Sequence, residues 1–103
     1  MVQILQEPDN AVEQIAATLE SYERAHEGAA CLVYRYNPAS IRVKIIDRTF
    51  HGWSKGERHD YAWGVLRRLP ENVLAQISML LCVEPGESAL LDMEFNEPTR
   101  SYL

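Results

Sequence analysis

A chain of 103 residues with a net charge of -5 has room for one hydrophobic core and not two, since a chain of this size buries about 60–70% of its unfolded surface. Its apolar share of 47% and charged share of 24% exclude a disordered chain and a disulfide scaffold, and fifteen acidic residues against ten basic ones put nonspecific binding to a phosphate backbone at a disadvantage. The opening run Met1-Val2-Gln3-Ile4-Leu5-Gln6-Glu7 has neither a basic n-region nor a long apolar stretch, so the expectation is a cytoplasmic chain with no signal peptide and no membrane span.

The first element is a helix. Asp9 or Asn10 is placed to cap it, and Val12, Ile15, Ala16, Leu19 and Tyr22 recur at helical spacing until Gly28 ends the run. Residues 30–36 and 41–47 are rich in β-branched and aromatic types and flank Asn37-Pro38-Ala39-Ser40, which reads as the turn of a hairpin. Pairing Tyr36 with Ile41 sets Tyr34 opposite Val43 and Leu32 opposite Ile45 on one face, and leaves Arg35, Arg42 and Lys44 on the other.

Ser54 and Glu57 form an S-x-x-E capping box ahead of a second helix at 55–68, whose apolar face holds Ala62, Trp63, Leu66 and Leu69. Pro70 stops that helix and opens a short helical turn, and residues 77–83 then read as a strand buried on much of both faces. Pro85-Gly86 turns the chain. In 89–95, Leu91, Met93 and Phe95 alternate with Asp92 and Glu94, which predicts a last strand. Pairing Leu81 with Leu91 and Met79 with Met93 keeps those four on the core side and puts Leu80, Cys82, Leu90, Asp92 and Glu94 on the other; residues 96–103 are expected to fray. The predicted fold is α+β, one domain over 1–103 with its core in about 10–95. It is a small mixed sheet of three to four strands with helices on one face, in the order α-β-β-α-(short α)-β-β.

Cys31 and Cys82 lie among apolar residues outside any CxxC pair, and His26, His51 and His59 lack metal-site spacing, so no metal and no cofactor is expected. No segment supplies a nucleophile with its base, a carboxylate pair or a phosphate loop by spacing, which favours a binding module over an enzyme. The candidate partner surface is the sheet face away from the helices. Leu80 and Leu90 would form its buried centre, with Arg35, Arg42 and Lys44 set against Asp92 and Glu94, and it would meet a protein partner or a second copy as a homodimer. The plainer alternative is that those acids and bases pair within one sheet. A nucleic-acid reading would use Lys55, Arg58, Arg67 and Arg68, but Glu57 and Asp60 are interleaved with them, which is more often a solvated helix.

The stretch Phe50-His51-Gly52-Trp53-Ser54-Lys55-Gly56-Glu57-Arg58-His59 has the spacing F-x-G-x-S-x-x-x-R-H and resembles the signature of the BolA family, with the resemblance covering roughly 10–85. It implies a KH-like fold, the family-motif residues Phe50, Gly52, Ser54, Arg58 and His59, and a regulatory role linked to transcription and stress response. It also implies a monothiol glutaredoxin partner sharing a 2Fe–2S cluster, held by a histidine at the start of the last family strand and a His or Cys in the first hairpin loop. In this chain the first position falls on Ala75 or Gln76 and the second on Asn37-Pro38-Ala39-Ser40, neither of which offers imidazole or thiolate to iron. Its glycines, Gly52 and Gly56, are spaced G-x-x-x-G, unlike the G-x-x-G of a KH loop.

The motif also has a reading independent of family. Gly52 permits a tight turn, Ser54 caps the helix, Phe50 plugs the core, and His59 sits on the apolar stripe of Ala62, Trp63 and Leu66 as a packed histidine. The leading expectation is therefore a BolA-like protein-binding or regulatory module without the family's iron–sulfur ligand set. The alternatives are a nucleic-acid-binding transcriptional regulator and a glutaredoxin-partnered cluster carrier that would use Cys31 or His59.

Overall fold

The computed structural model describes residues 2–5 and 7–87. In chain order these form β1 (Gln3–Ile4), α1 (Asn10–Ala25), β2 (Ala30–Asn37), β3 (Ser40–Ile46), a 3-10 turn (Arg48–Phe50), α2 (Lys55–Leu66), α3 (Glu71–Leu74) and β4 (Ile77–Val83). The strands make one mixed sheet in the order β1-β2-β3-β4. The β2–β3 pair is antiparallel, as a tight turn allows. Both parallel pairs, β1–β2 and β3–β4, are joined through helices, as a parallel connection requires. The α+β class and the mixed four-stranded sheet agree with the sequence expectation. β1 has no counterpart in that expectation, because two residues carry no periodicity, and the expected strand at 89–95 lies outside the described residues.

Local chemistry sets the helix starts. Asp9 Oδ1 accepts the Val12 amide at 3.0 Å, and Ser54 and Glu57 close the full capping box, with Ser54 Oγ accepting the Glu57 amide at 3.1 Å and Glu57 Oε1 accepting the Ser54 amide at 2.8 Å. Gly52, at φ +83°, makes the turn into α2 in a region that side-chain-bearing residues avoid. The predicted stripe of α1, Val12, Ile15, Ala16, Leu19 and Tyr22, is buried throughout. It packs with Ala62 and Leu66 of α2, Val73 of α3 and Phe50 over one face of the sheet.

The strand faces differ from expectation. The turn itself pairs Asn37 with Ser40, as the expected register requires, but an irregularity between Arg35 and Asn37 then slips the ladder by one. Arg35 faces Ile41, Tyr34 faces Arg42, Val33 faces Val43, and Cys31 faces Ile45. Tyr36 is the extra residue of a bulge, and such a slip turns every earlier side chain of β2 over. Small Cys31 and Val33 thus lie beneath α1, whereas Tyr34 and Leu32 join Arg42 and Lys44 on the face away from the helices. Arg35, expected beside Arg42 and Lys44, stands on the helix side.

A second correction concerns β4. Val43 pairs with Leu80 and Ile45 with Cys82, so Leu80 and Cys82 enter the helix-side core at 6% and 7% exposure, while Met79, Leu81 and Val83 face the other way. A strand apolar at nearly every position offers no alternation from which to choose a face, and the parallel alignment to β3 decides it.

Candidate functional site

Three polar constructions stand out from the apolar frame. The first ties α1 to the end of β3. Asp47, completely buried, caps the 3-10 turn by accepting the Thr49 amide at 2.8 Å and accepts the Tyr22 hydroxyl at 2.5 Å. Burial and this carboxylate raise the Tyr22 phenol far above its ordinary range, so Tyr22 is a fixed donor and not an acid. Sequence reading missed Asp47; the D-x-T spacing ahead of Phe50 was the available signal.

The second is a clasp at the start of α2. Arg58 is 6% exposed; it donates to the carbonyls of Trp53 and Cys82 at 3.2 Å each and to Glu87 Oε1 at 2.7 Å, with Glu84 Oε2 at 3.4 Å. The Glu87 carboxylate also accepts the Glu84 amide. That bond and the Arg58 guanidinium hold it below the usual carboxylate range. Arg58 is thus turned inward to the end of β4, away from the position a solvated or phosphate-binding residue would take. Lys55, Arg67 and Arg68 are exposed, and His59 is half-buried.

The third is an open cleft of about 440 Å3 between α1 and α2, walled by Tyr22, Ala25, His26, Tyr61, Val65 and Arg68. His26 stacks on Tyr22 with ring centres 4.0 Å apart and 9° between planes, and Tyr61 meets it edge-on at 5.6 Å, backed by Trp53 at 5.3 Å. The Tyr22 carbonyl, 2.9 Å from His26 Nδ1, can only accept. Nδ1 is therefore the donor of that bond, and Nε2 lies within hydrogen-bond distance of the Tyr61 hydroxyl at 2.6 Å. Tyr61 is 39% exposed, the large apolar side chain left most open among the described residues. Asp60 and Arg68 flank the cleft, and neither forms an ion pair with a described residue.

The motif residues are brought together at the start of α2, where Phe50 is fully buried, Gly52 turns the chain, Ser54 caps the helix and Arg58 ties it to the end of β4. Gln76, which with Ala75 is one of the two candidates for a ligand position under the expected resemblance, accepts from Arg35 Nη2 at 2.7 Å and donates to the Asn72 carbonyl at 3.1 Å. Cys31 and Cys82 flank Ile45 across the helix side of the sheet, two strand spacings or about 9–10 Å apart and beyond disulfide reach. Burial pushes both thiols up, that of Cys82 to about 12, so neither is a ready thiolate ligand. Among the described residues no group of three or more His, Cys, Asp or Glu is arranged to hold a metal ion, and no helix is long and apolar enough to cross a membrane.

The sequence-selected partner surface is divided by the register. Leu80 is in the core and Arg35 at its edge, bonded to Asp9, Gln76 and the Asn37 and Pro38 carbonyls. Arg42 and Lys44 remain on the face away from the helices, and Leu90, Asp92 and Glu94 lie outside the described residues. No family model, curated protein or solved structure matches the chain.

Proposed function

We propose that this chain is a BolA-like protein-binding or regulatory module, and that the cleft between α1 and α2 is where its partner docks. The observation that carries the reading is the open aromatic wall of Tyr22, His26 and Tyr61, flanked by the charges Asp60 and Arg68, which no described residue pairs. Gly64 adds to it. A side chain at this mid-helix position would touch nothing within 4 Å, so no contact within the fold requires glycine there. A glycine in a helix interior costs about 1 kcal/mol relative to alanine, but it leaves the α2 wall flat for close approach.

An open trough between helices suits the apolar face of a partner's amphipathic segment, with an acid meeting Arg68 and a base meeting Asp60, better than a small molecule that must be mostly enclosed. The BolA-like part of the reading is supported by the motif at 50–59 and by the element order from α1 to β4. The test is capture from the native cell on immobilised full-length protein, with wild-type and Val65→Asp baits of equal melting temperature. A protein held by the wild type and lost by the variant supports the reading, and identical captured sets would sink it.

A further inference from the structure

The rings of His26 and Tyr61 both line the cleft between α1 and α2, and the hydrogen bond that joins them can run in either direction. Nδ1 of His26 is 2.9 Å from the Tyr22 carbonyl, which can only accept, so this nitrogen carries a proton in either charge state of the ring. Nε2 is 2.6 Å from the Tyr61 hydroxyl, and one proton has to lie between them. When the ring is neutral Nε2 is bare and the phenol supplies that proton, which turns its O–H inward and leaves lone pairs toward the cleft. When the ring is charged Nε2 supplies the proton, the phenol oxygen accepts it, and the phenol's own O–H is freed to point outward. Protonating His26 thus converts Tyr61 from an acceptor into a donor without moving a heavy atom.

We propose that this pair makes the cleft a proton-gated receiver for a carboxylate of the partner, which binds when His26 is charged and is released when it is neutral. The proposal rests on the reading of this cleft as the docking site and adds the chemistry of the contact. Arg68 lines the same wall, two turns of α2 beyond Tyr61, and forms no ion pair with a described residue. Gly64 stands between them with nothing within 4 Å of where a Cβ would be, so the approach to both donors over the helix is unobstructed. Asp60 lies one turn to the other side of Gly64 and sets the orientation, because an anion is repelled from its end of the wall and drawn to the Arg68 end. The other ionisable groups around the ring are engaged: Tyr22 beneath it donates to Asp47, Arg24 on α1 donates to Ser21, and Glu23 accepts the Cys31 amide. An imidazole is the side chain whose charge ordinarily changes between about pH 5 and 8, which leaves His26 as the group that gates the contact.

The probes are phenylacetate and phenethylammonium, an aromatic anion and an aromatic cation of similar size, titrated into the full-length protein at about pH 6 and about pH 8 with binding read from the imidazole nitrogen signals of His26 by NMR. Phenylacetate should bind at least about fivefold more tightly at the lower pH, the low end of ordinary coupling between two sites, and phenethylammonium should not. By reciprocity, bound phenylacetate should make the ring hold its proton to higher pH. Tyr61→Phe keeps His26 and Arg68 and removes one hydroxyl, so the pH dependence should shrink to less than about twofold, whereas simple attraction to the imidazolium would leave it intact. A phenylacetate affinity that is absent at both pH values, equal at both, or as pH-dependent in Tyr61→Phe as in the wild type overturns the proposal, as does an equal gain for phenethylammonium. Such a failure is separate from failure of the docking reading: a protein captured by the wild type and lost by Val65→Asp, with phenylacetate indifferent to pH, leaves a docking cleft without the proton gate.

Discussion

The two faces of this sheet are built from alternate residues of the same strands and are buried by different chemistry. The helix side presents Cys31, Val33, Ile41, Val43, Ile45, Leu80 and Cys82, an apolar wall met by the stripe of α1 and by Ala62 and Leu66 of α2. The opposite face mixes Tyr34, Tyr36, Arg42, Lys44, Leu81 and Val83, a composition that reads as surface, yet its centre is as tightly closed as the core. Amphipathic side chains tolerate burial when their polar ends find partners. Hydropathy therefore identifies the first kind of face and is silent about the second.

The largest expected effect tests the division itself. Leu80→Lys puts an ammonium into the helix-side core and should cost about 3–5 kcal/mol, whereas Leu81→Lys, one residue on and half-buried on the other face, should cost less than half as much. Urea denaturation of the two variants gives the comparison, and the reverse order would restore the register expected from the sequence. Tyr22→Phe addresses the buried carboxylate of Asp47, which loses its phenol donor and keeps the Thr49 amide, at a cost of about 1–3 kcal/mol by the same measurement. An unchanged midpoint would show that the Tyr22–Asp47 bond contributes nothing. Ser54→Ala removes one half of the capping box at the start of α2 and should cost about 1 kcal/mol by the same measurement.

The smallest effect is at the periphery and appears with pH. Asp9 is held below its ordinary range first by its hydrogen bond with Arg35 and then by the Val12 amide, and Glu87 by the Glu84 amide and Arg58. Because both folded-state values are depressed, the unfolded chain binds more protons as pH falls through the ordinary carboxylate range, and stability declines there. The contribution is complete above the unfolded values and lost as pH drops through the folded ones. Thermal melts from neutral to acidic pH should show this decline, reduced in Asp9→Asn and in Glu87→Gln; a decline unaltered in both variants would assign it elsewhere.

Much of the fold was legible from local signals. The α1 stripe, the α2 capping box, the turn at Asn37–Ser40 and the strand at 77–83 each rest on contacts among residues a few positions apart, and each is found where the spacing predicts it. The site was less legible. Sequence spacing selected Arg58 as a surface base, but its bonds run to Cys82, Glu84 and Glu87, more than twenty residues away. It also left out the pairing of His26 with Tyr61, separated by 35 positions.

What the sequence determined by itself is the run of elements from α1 to β4, because helix caps, turn residues and hydrophobic period act within a few residues of chain. What only the tertiary structure decided is which way each strand faces. A bulge at Tyr36 reversed β2, and alignment with β3 oriented a β4 that is apolar on both sides. The physical reason is the period of two: one residue of slip leaves every local preference satisfied and exchanges the whole content of a face, so the choice falls to packing against α1 and α2 and not to any signal within the strand.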